Sequence, residues 1–174
     1  MKRHQFYLTL AILSFIGLVI ISTYAVIDSV NFDRGCEGHL KRAADANSIE
    51  LAQQELQIAI DYIEDNNLTE GYTSVLYTTP DEDLGYWYSN LSQANNELIN
   101  MINDGTATNL EKSNMLIKLR ETLIDHKGGD TGDKVTVPAG ASRYPNNATY
   151  GWIWLVTSLG ICIFFPAALF SHLD

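Results

Sequence analysis

Three residues near the start of the polar part of the chain carry side chains that bind metals. Cys36, Glu37 and His39 lie within four positions of one another, and zinc is held in proteins by thiolate, imidazole and carboxylate ligands. A closed tetrahedral site needs a further ligand, and His126 is the one other histidine between the apolar ends of the chain. The polar start of a helix explains the same three residues. The sequence therefore predicts no metal and no cofactor, with these three as the candidates if a metal binds.

Motifs for catalysis are missing from the sequence. The chain has no G-x-S-x-G nucleophile elbow. Its glycine-rich run, Gly128 to Gly132, follows no predicted strand and precedes no predicted helix, unlike a phosphate-binding loop. A hydrolase or metalloenzyme would need two of the four candidate ligands named above at ligand distance. We therefore predict that the protein is not an enzyme.

Aromatic residues cluster around one predicted loop and the start of the helix that follows it. Rings with a polar tip offer a large contact area and line ligand pockets or anchor protein interfaces. Burial of the tryptophan and one or two tyrosines in an ordinary core is the alternative. The predicted interaction residues are Tyr72, Tyr77, Tyr86, Trp87 and Tyr88.

Two apolar segments flank this polar region. Phe6 to Ile27 and Tyr150 to Phe170 each run for more than twenty residues without Asp, Glu, Lys, Arg or His. At about 1.5 Å per residue, a helix of that length crosses a hydrocarbon core of roughly 30 Å. The sequence predicts transmembrane helices over residues 6–28 and 149–170, which leaves residues 29–148 as a single domain on one side of the membrane.

Charge at the chain ends predicts the orientation. Lys2 and Arg3 precede the first apolar segment, and cationic flanks stay in the cytoplasm. Residues 1–5 and 171–174 are then cytoplasmic, and the domain is extracytoplasmic, on the cell membrane or another energy-transducing membrane. A cleaved signal peptide ending at Thr23-Tyr24-Ala25 is the competing interpretation, although its apolar core exceeds the usual length of about 7–15 residues. Predicted membrane-interface anchors are Tyr144, Tyr150, Trp152 and Trp154.

The domain is strongly acidic. Between Asn31 and Ala148 the chain has 19 Asp and Glu against 9 Lys and Arg, so the whole net charge of −10 lies there. A negative surface repels phosphate backbones and anionic headgroups, which argues against a nucleic-acid partner. The two cysteines, Cys36 and Cys162, fall in the domain and in the second apolar segment, so an internal disulfide is excluded.

Helical periodicity and capping patterns predict a mainly α domain. One helix is expected over Gly38 to Glu64, with a possible interruption where Ser48 can cap a second segment. A capping box at Thr79–Glu82 predicts a helix over Pro80 to Asn103. A second capping box at Thr108–Glu111 predicts a helix that ends at about His126. An alternating run, Lys134 to Pro138, predicts a short strand or extended strap. The fold class is therefore two transmembrane helices flanking a helical bundle with a short strap before the second span.

The motif TPDEDLGYWY, Thr79 to Tyr88, resembles a group of small uncharacterised bacterial membrane proteins with two spans. The resemblance covers most of the domain and implies a bacterial source, but it implies no activity. Further matching stretches are Thr69–Ser74, Leu110–Asn114, Leu119–Leu123 and Val135–Pro138.

These features predict an accessory or structural subunit of a larger membrane complex, with no enzymatic activity. Its expected partners are the lipid bilayer and other membrane subunits, and a second copy of the chain is left open. The alternative is an extracytoplasmic sensor or small-ligand module, which would have to signal through a partner because the predicted tail, residues 171–174, is so short.

Overall fold

The computed structural model describes residues 3–76, 78–125 and 134–173 and confirms a mainly helical chain with a very small sheet. The chain divides into two compact units: Met1–Ser29 with Pro145–Asp174, and Val30–Tyr144. Short turns occur at Asp33–Glu37 (π-helical), Pro80–Glu82 and Ala141–Arg143. The main elements are α1 (Arg3–Phe32), α2 (Gly38–Ala44), α3 (Ile49–Asp65), α4 (Leu84–Asp104), α5 (Asn109–Leu123), β1 (Ile124–Asp125), β2 (Lys134–Val135) and α6 (Asn147–Leu173).

Helices α1 and α6 contain the two predicted spans and are long and apolar enough to cross a membrane. Only 6% of the most apolar stretch of each helix is buried inside the protein. A core helix of a water-soluble protein would bury most of its apolar side chains. The pair therefore leaves most of its leucine, isoleucine, valine and phenylalanine side chains on the outside.

Small residues let α1 and α6 pack closely on each other. A Cβ atom at Gly17 would lie 3.0 Å from Thr157 Cγ2, and one at Gly160 would collide with Ser14 Oγ. The Tyr150 hydroxyl donates a hydrogen bond to the Asp28 carboxylate. Close backbone approach through small residues is the usual way for helices to associate where no water drives them together.

Helices α2 to α5 form the core of the second unit. Ser48 Oγ accepts a hydrogen bond from the Leu51 N–H at 3.2 Å and so caps α3. The helix predicted over Gly38 to Glu64 is therefore two helices, interrupted where the capping signal indicated. Fully buried core side chains come from every helix of this unit: Leu40, Ile49, Leu56, Ile63, Leu84, Leu98, Leu119 and Leu123.

One predicted helix start is wrong. Helix α4 begins at Leu84, not at Pro80, and Asp83 is its cap: the Asp83 carboxylate accepts the Tyr86 N–H at 3.0 Å. The Thr79 hydroxyl instead donates to the Glu82 carboxylate at 2.8 Å, and Pro80–Glu82 forms a single 3₁₀ turn. The backbone of Asp83 is extended, which the N-cap position requires and which stops the turn from continuing into the helix.

The second capping box is confirmed, but the end of its helix is not. Thr108 Oγ1 accepts the Glu111 N–H at 3.3 Å, and the Glu111 carboxylate accepts the Thr108 N–H at 2.7 Å. Helix α5 ends at Leu123 rather than near His126, because β1 pairs antiparallel with β2, with Ile124 opposite Val135. This confirms a short strand in the 134–138 run. His126 and Gly128 to Gly132 lie outside the described residues.

A π-helical turn follows α1, where the ring of Tyr62 packs against Gly35. The Gly38 N–H reaches back to the Asp33 carbonyl, and a Cβ atom at Gly35 would overlap the Tyr62 ring. The rings of Phe32 and Tyr62 meet edge to face, with centroids 6.0 Å apart. Gly35 thus provides the space for an aromatic side chain of α3.

Replacing Gly35 by alanine tests this packing. Glycine to alanine inside a helix normally stabilises by about 0.5–1 kcal/mol. Here we expect a destabilisation of about 1–3 kcal/mol, because the new methyl group overpacks against Tyr62. Thermal unfolding of the full-length protein in mild detergent measures it. In a Tyr62→Ala background the same substitution should no longer destabilise, and an equal loss in both backgrounds would contradict the contact.

Candidate functional site

The loop before α4 is fixed to the start of that helix by backbone hydrogen bonds. The Thr73 N–H donates to the Glu82 carbonyl at 3.0 Å, and the Leu84 N–H donates to the Gly71 carbonyl at 2.9 Å. Tyr72 and Asp83 form an antiparallel bridge between them. The two ends of this loop, residues 71–73 and residues 82–84, are therefore bonded to each other.

Gly71 and Tyr144 pack together at the base of the same loop. Gly71 has a φ of +97°, which favours glycine, and any Cβ atom there would overlap the Tyr144 hydroxyl. Tyr144 is partly buried against the core of the second unit and lies before the first residue of α6. Tyr144 thus has a packing role that the prediction of a membrane anchor did not include.

The other predicted anchors lie on α6. Trp152 and Trp154 are exposed, and the hydroxyl of Tyr150 is bonded to Asp28 on α1. Tryptophan and tyrosine rings favour the level of the lipid headgroups. Anchoring by these three residues stays a prediction.

The aromatic group separates into buried and exposed members. Trp87 is only 7% exposed, and its indole N–H donates to the Thr136 carbonyl at 3.0 Å, which is the core placement given above as the alternative. The Tyr88 hydroxyl donates to Glu64 at 2.6 Å, and this bond to a carboxylate raises the pKa of Tyr88. Tyr72 and Tyr86 are exposed, and Tyr77 lies outside the described residues.

Two aliphatic residues that the sequence analysis did not single out join the exposed tyrosines. Leu76 is 82% exposed, and Val75 is exposed beside it. We call Tyr72, Val75, Leu76 and Tyr86 the loop patch. The pattern that could have revealed these residues is a β-prone run, Gly71 to Thr79, with no second strand nearby in sequence to cover it.

The loop patch lies in a long stretch without positive charge. From Ala43 to Glu111 the sequence has thirteen Asp and Glu and no Lys, Arg or His. Glu70 and Asp81, close to the patch in sequence, are both exposed. The stretch of sequence that carries the loop patch is therefore acidic, and carboxylates attract cations and repel anions.

The three candidate metal ligands face different surroundings. Cys36 is completely buried, and this burial, together with the charge of Glu37, raises the pKa of its thiol, so the sulfur stays protonated. Burial and the neighbouring Asp33 also raise the pKa of Glu37. His39 Nδ1 lies 2.7 Å from the Glu55 carboxylate. Within the described residues, no group of three or more such side chains is placed to hold a metal ion.

Glu55 is held by two partners from α2. Besides its contact with His39, it accepts a hydrogen bond from Arg42 Nε at 2.8 Å. Burial alone would raise the pKa of Glu55, but the hydrogen bonds and charges of Arg42 and His39 outweigh that effect and lower it. His39 and Arg42 on α2 therefore hold Glu55 on α3, and we call these three residues the clamp.

A groove of about 270 Å³ runs between α4 and α5. Its only charged lining residues, Glu97 and Lys118, form an ion pair across 2.7 Å, and no member of the aromatic group lines it. Because its charges pair with each other, the groove offers a ligand no uncompensated charge.

Replacing Glu55 by glutamine should weaken folding in a pH-dependent way. A carboxylate with a lowered folded-state pKa stabilises above its ordinary value of 4.5 and loses that contribution as the pH falls through the folded-state value. Because Arg42 is half-exposed, we expect a loss of about 1 kcal/mol at neutral pH that disappears in acid. Thermal unfolding from pH 7 downwards measures it, with exposed Glu121→Gln as the control. A deficit that persists unchanged in acid would contradict the clamp.

Comparisons with known proteins add no relative. No family model, no curated protein and no solved structure matches the chain. Its function is therefore inferred from the chemistry of its own residues.

Proposed function

We propose that this chain is an integral membrane protein without enzymatic activity whose acidic helical unit binds another protein outside the membrane. In this proposal it serves as an accessory subunit of a larger membrane complex. The observation that carries the proposal is the loop patch: exposed aliphatic and aromatic side chains on a loop with bonded ends and on the first turn of α4, in an acidic unit.

Membrane insertion is supported by the outward-facing side chains of α1 and α6. Two long helices that are apolar on nearly every side are unfavourable in water, because hydration of apolar surface costs free energy. Insertion into hydrocarbon removes that cost. Each helix satisfies its own backbone hydrogen bonds, as a lipid-exposed segment must. The Gly17 and Gly160 contacts bring the two helices together without needing water as a driving force.

The orientation rests on the distribution of charge. Lys2 and Arg3 stand before the first apolar segment, whereas residues 31–148, between the two segments, have 19 Asp and Glu against 9 Lys and Arg. Cationic flanks are retained in the cytoplasm. The helical unit then faces away from the cytoplasm.

Binding of a protein partner is supported by the loop patch. Leu76 at 82% exposure and Tyr86 at 63% exposure leave apolar surface in water that a partner can cover. The backbone bonds of Thr73 and Leu84 join the two ends of the loop, which restricts the conformations that it can lose on binding. Tyrosine is among the residue types that dominate interface energy.

Cysteine labelling tests the orientation. A membrane-impermeant maleimide added to intact cells should label Thr106→Cys, which lies in the exposed turn between α4 and α5. It should label Gln5→Cys, which leaves Lys2 and Arg3 in place, only after lysis. The wild-type chain controls for Cys36 and Cys162. Labelling of Gln5→Cys in intact cells would contradict the proposed orientation.

Photo-crosslinking tests the partner. A benzophenone amino acid replacing Leu76 should give a discrete, light-dependent adduct with another protein in native membranes. The matched control replaces Leu110, which is 71% exposed on α5 but outside the loop patch, and should give none. The adduct should disappear when Tyr72 and Tyr86 are changed to serine. No adduct at Leu76, or equal adducts at both positions, would contradict protein binding through the patch.

A further inference from the structure

The carboxylates of residues 61–83 take part in no ion pair within the part of the chain that the structure describes. Seven Asp and Glu lie between Asp61 and Asp83, and the nearest Lys or Arg in sequence are Arg42 and Lys112. The described ion pairs hold Arg42 at Glu55, Lys118 at Glu97 and Arg120 at Asp45. None of these pairs neutralises a carboxylate between Asp61 and Asp83.

Several of these carboxylates already have structural partners. Asp83 caps α4, Glu82 accepts from Thr79, and Glu64 accepts from Tyr88. Glu70 and Asp81 are both exposed; Glu70 precedes the patch in sequence, and Asp81 lies between Leu76 and Tyr86. These two are the carboxylates best placed to meet an incoming charge.

We infer that the loop patch receives a cationic amphipathic segment of the partner protein. This inference rests on the proposed function and names the chemistry of its partner. Apolar side chains of the segment cover Val75 and Leu76, and its Lys or Arg residues pair with Glu70 and Asp81.

Charge and ring chemistry both favour this occupant. A guanidinium or ammonium group gains from the negative field and from the faces of exposed tyrosine rings, here Tyr72 and Tyr86. Exposed aliphatic residues need apolar cover, which a purely charged segment does not provide. An amphipathic segment supplies both kinds of group at once.

The same surface disfavours other occupants. Anionic lipid and nucleic acid are repelled by its carboxylates. Two copies of the chain meeting patch to patch would bring like charges together, because a twofold interface places the same surface on both sides. The partner segment is therefore expected to come from a different protein.

A peptide-binding experiment on the full-length protein tests this inference. The protein is placed in phosphatidylcholine nanodiscs, and the probe is a fluorescent peptide with leucine and tryptophan at helical spacing and lysine elsewhere. Two matched peptides replace every lysine by glutamate or every apolar residue by serine. We expect the first peptide to bind at least about tenfold more tightly than either control by fluorescence anisotropy, and more weakly as salt is raised.

Paired variants locate the binding. Glu70→Gln with Asp81→Asn, and separately Leu76→Ser with Tyr86→Ser, should each weaken binding about tenfold. The matched control, Leu110→Ser with Glu121→Gln, changes exposed groups on α5 and should leave binding unchanged. All these positions are exposed, so unfolding temperatures should stay close to that of the wild type.

Several outcomes overturn the inference: no binding of the lysine peptide, equal binding of the glutamate peptide, or equal losses in the patch and control variants. A Leu76 adduct of the purified protein with a second copy of itself would also overturn it. If the Leu76 crosslink to another protein forms while the lysine peptide does not bind, only the partner's charge is wrong. Failure of the crosslink and the peptide together overturns the proposed function as well.

Discussion

Two backbone hydrogen bonds, from Thr73 to Glu82 and from Leu84 to Gly71, position the start of α4 beside the loop that carries the loop patch. They hold the end of the loop in extended form, so Asp83 reaches the cap position and α4 starts one residue later. Trp87 then falls on the inner face of α4, whereas Tyr86 falls on the outer face. A shift of one residue in the register of α4 against the core would rotate both rings by about 100°, since a helix has 3.6 residues per turn.

The two units differ in where their apolar side chains lie. The helical unit buries leucine and isoleucine inside and carries the negative charge of the chain, whereas α1 and α6 leave apolar side chains outside. The loop patch combines both features, because apolar side chains are exposed there in an acidic environment. The charged groups of such a surface are hydrated in water. Its exposed apolar area is available to the proposed protein partner.

Much of the fold could be predicted because its signals are local. The two apolar segments, the Ser48 cap and the Thr108–Glu111 capping box are each encoded within a few residues. The start of α4 was misplaced because Thr79 and Asp83 both offer a cap, and the choice depends on tertiary bonds to Gly71 and Thr73. The predicted end of α5 is wrong for a similar reason: Ile124 pairs with Val135 of a second short strand, so its backbone leaves the helix.

The candidate site was less predictable than the fold. Ring type identified Tyr72 and Tyr86 but could not separate them from Trp87, since that depends on which side of α4 faces the core. Val75 and Leu76 were missed because a short apolar run is normally a buried strand. Their exposure follows from the lack of any described strand beside them, a non-local fact.

The hydrogen bond between Tyr150 and Asp28 has a mechanical consequence for the helix pair. Because it joins α1 to the first turn of α6, the two helices cannot slide along each other without breaking it. In a bilayer thinner or thicker than their apolar length, independent helices would each adjust their angle to the membrane normal. If α1 and α6 cross a membrane as proposed, this bond couples their tilt, and hydrophobic mismatch would change the inclination of the pair more easily than its internal register.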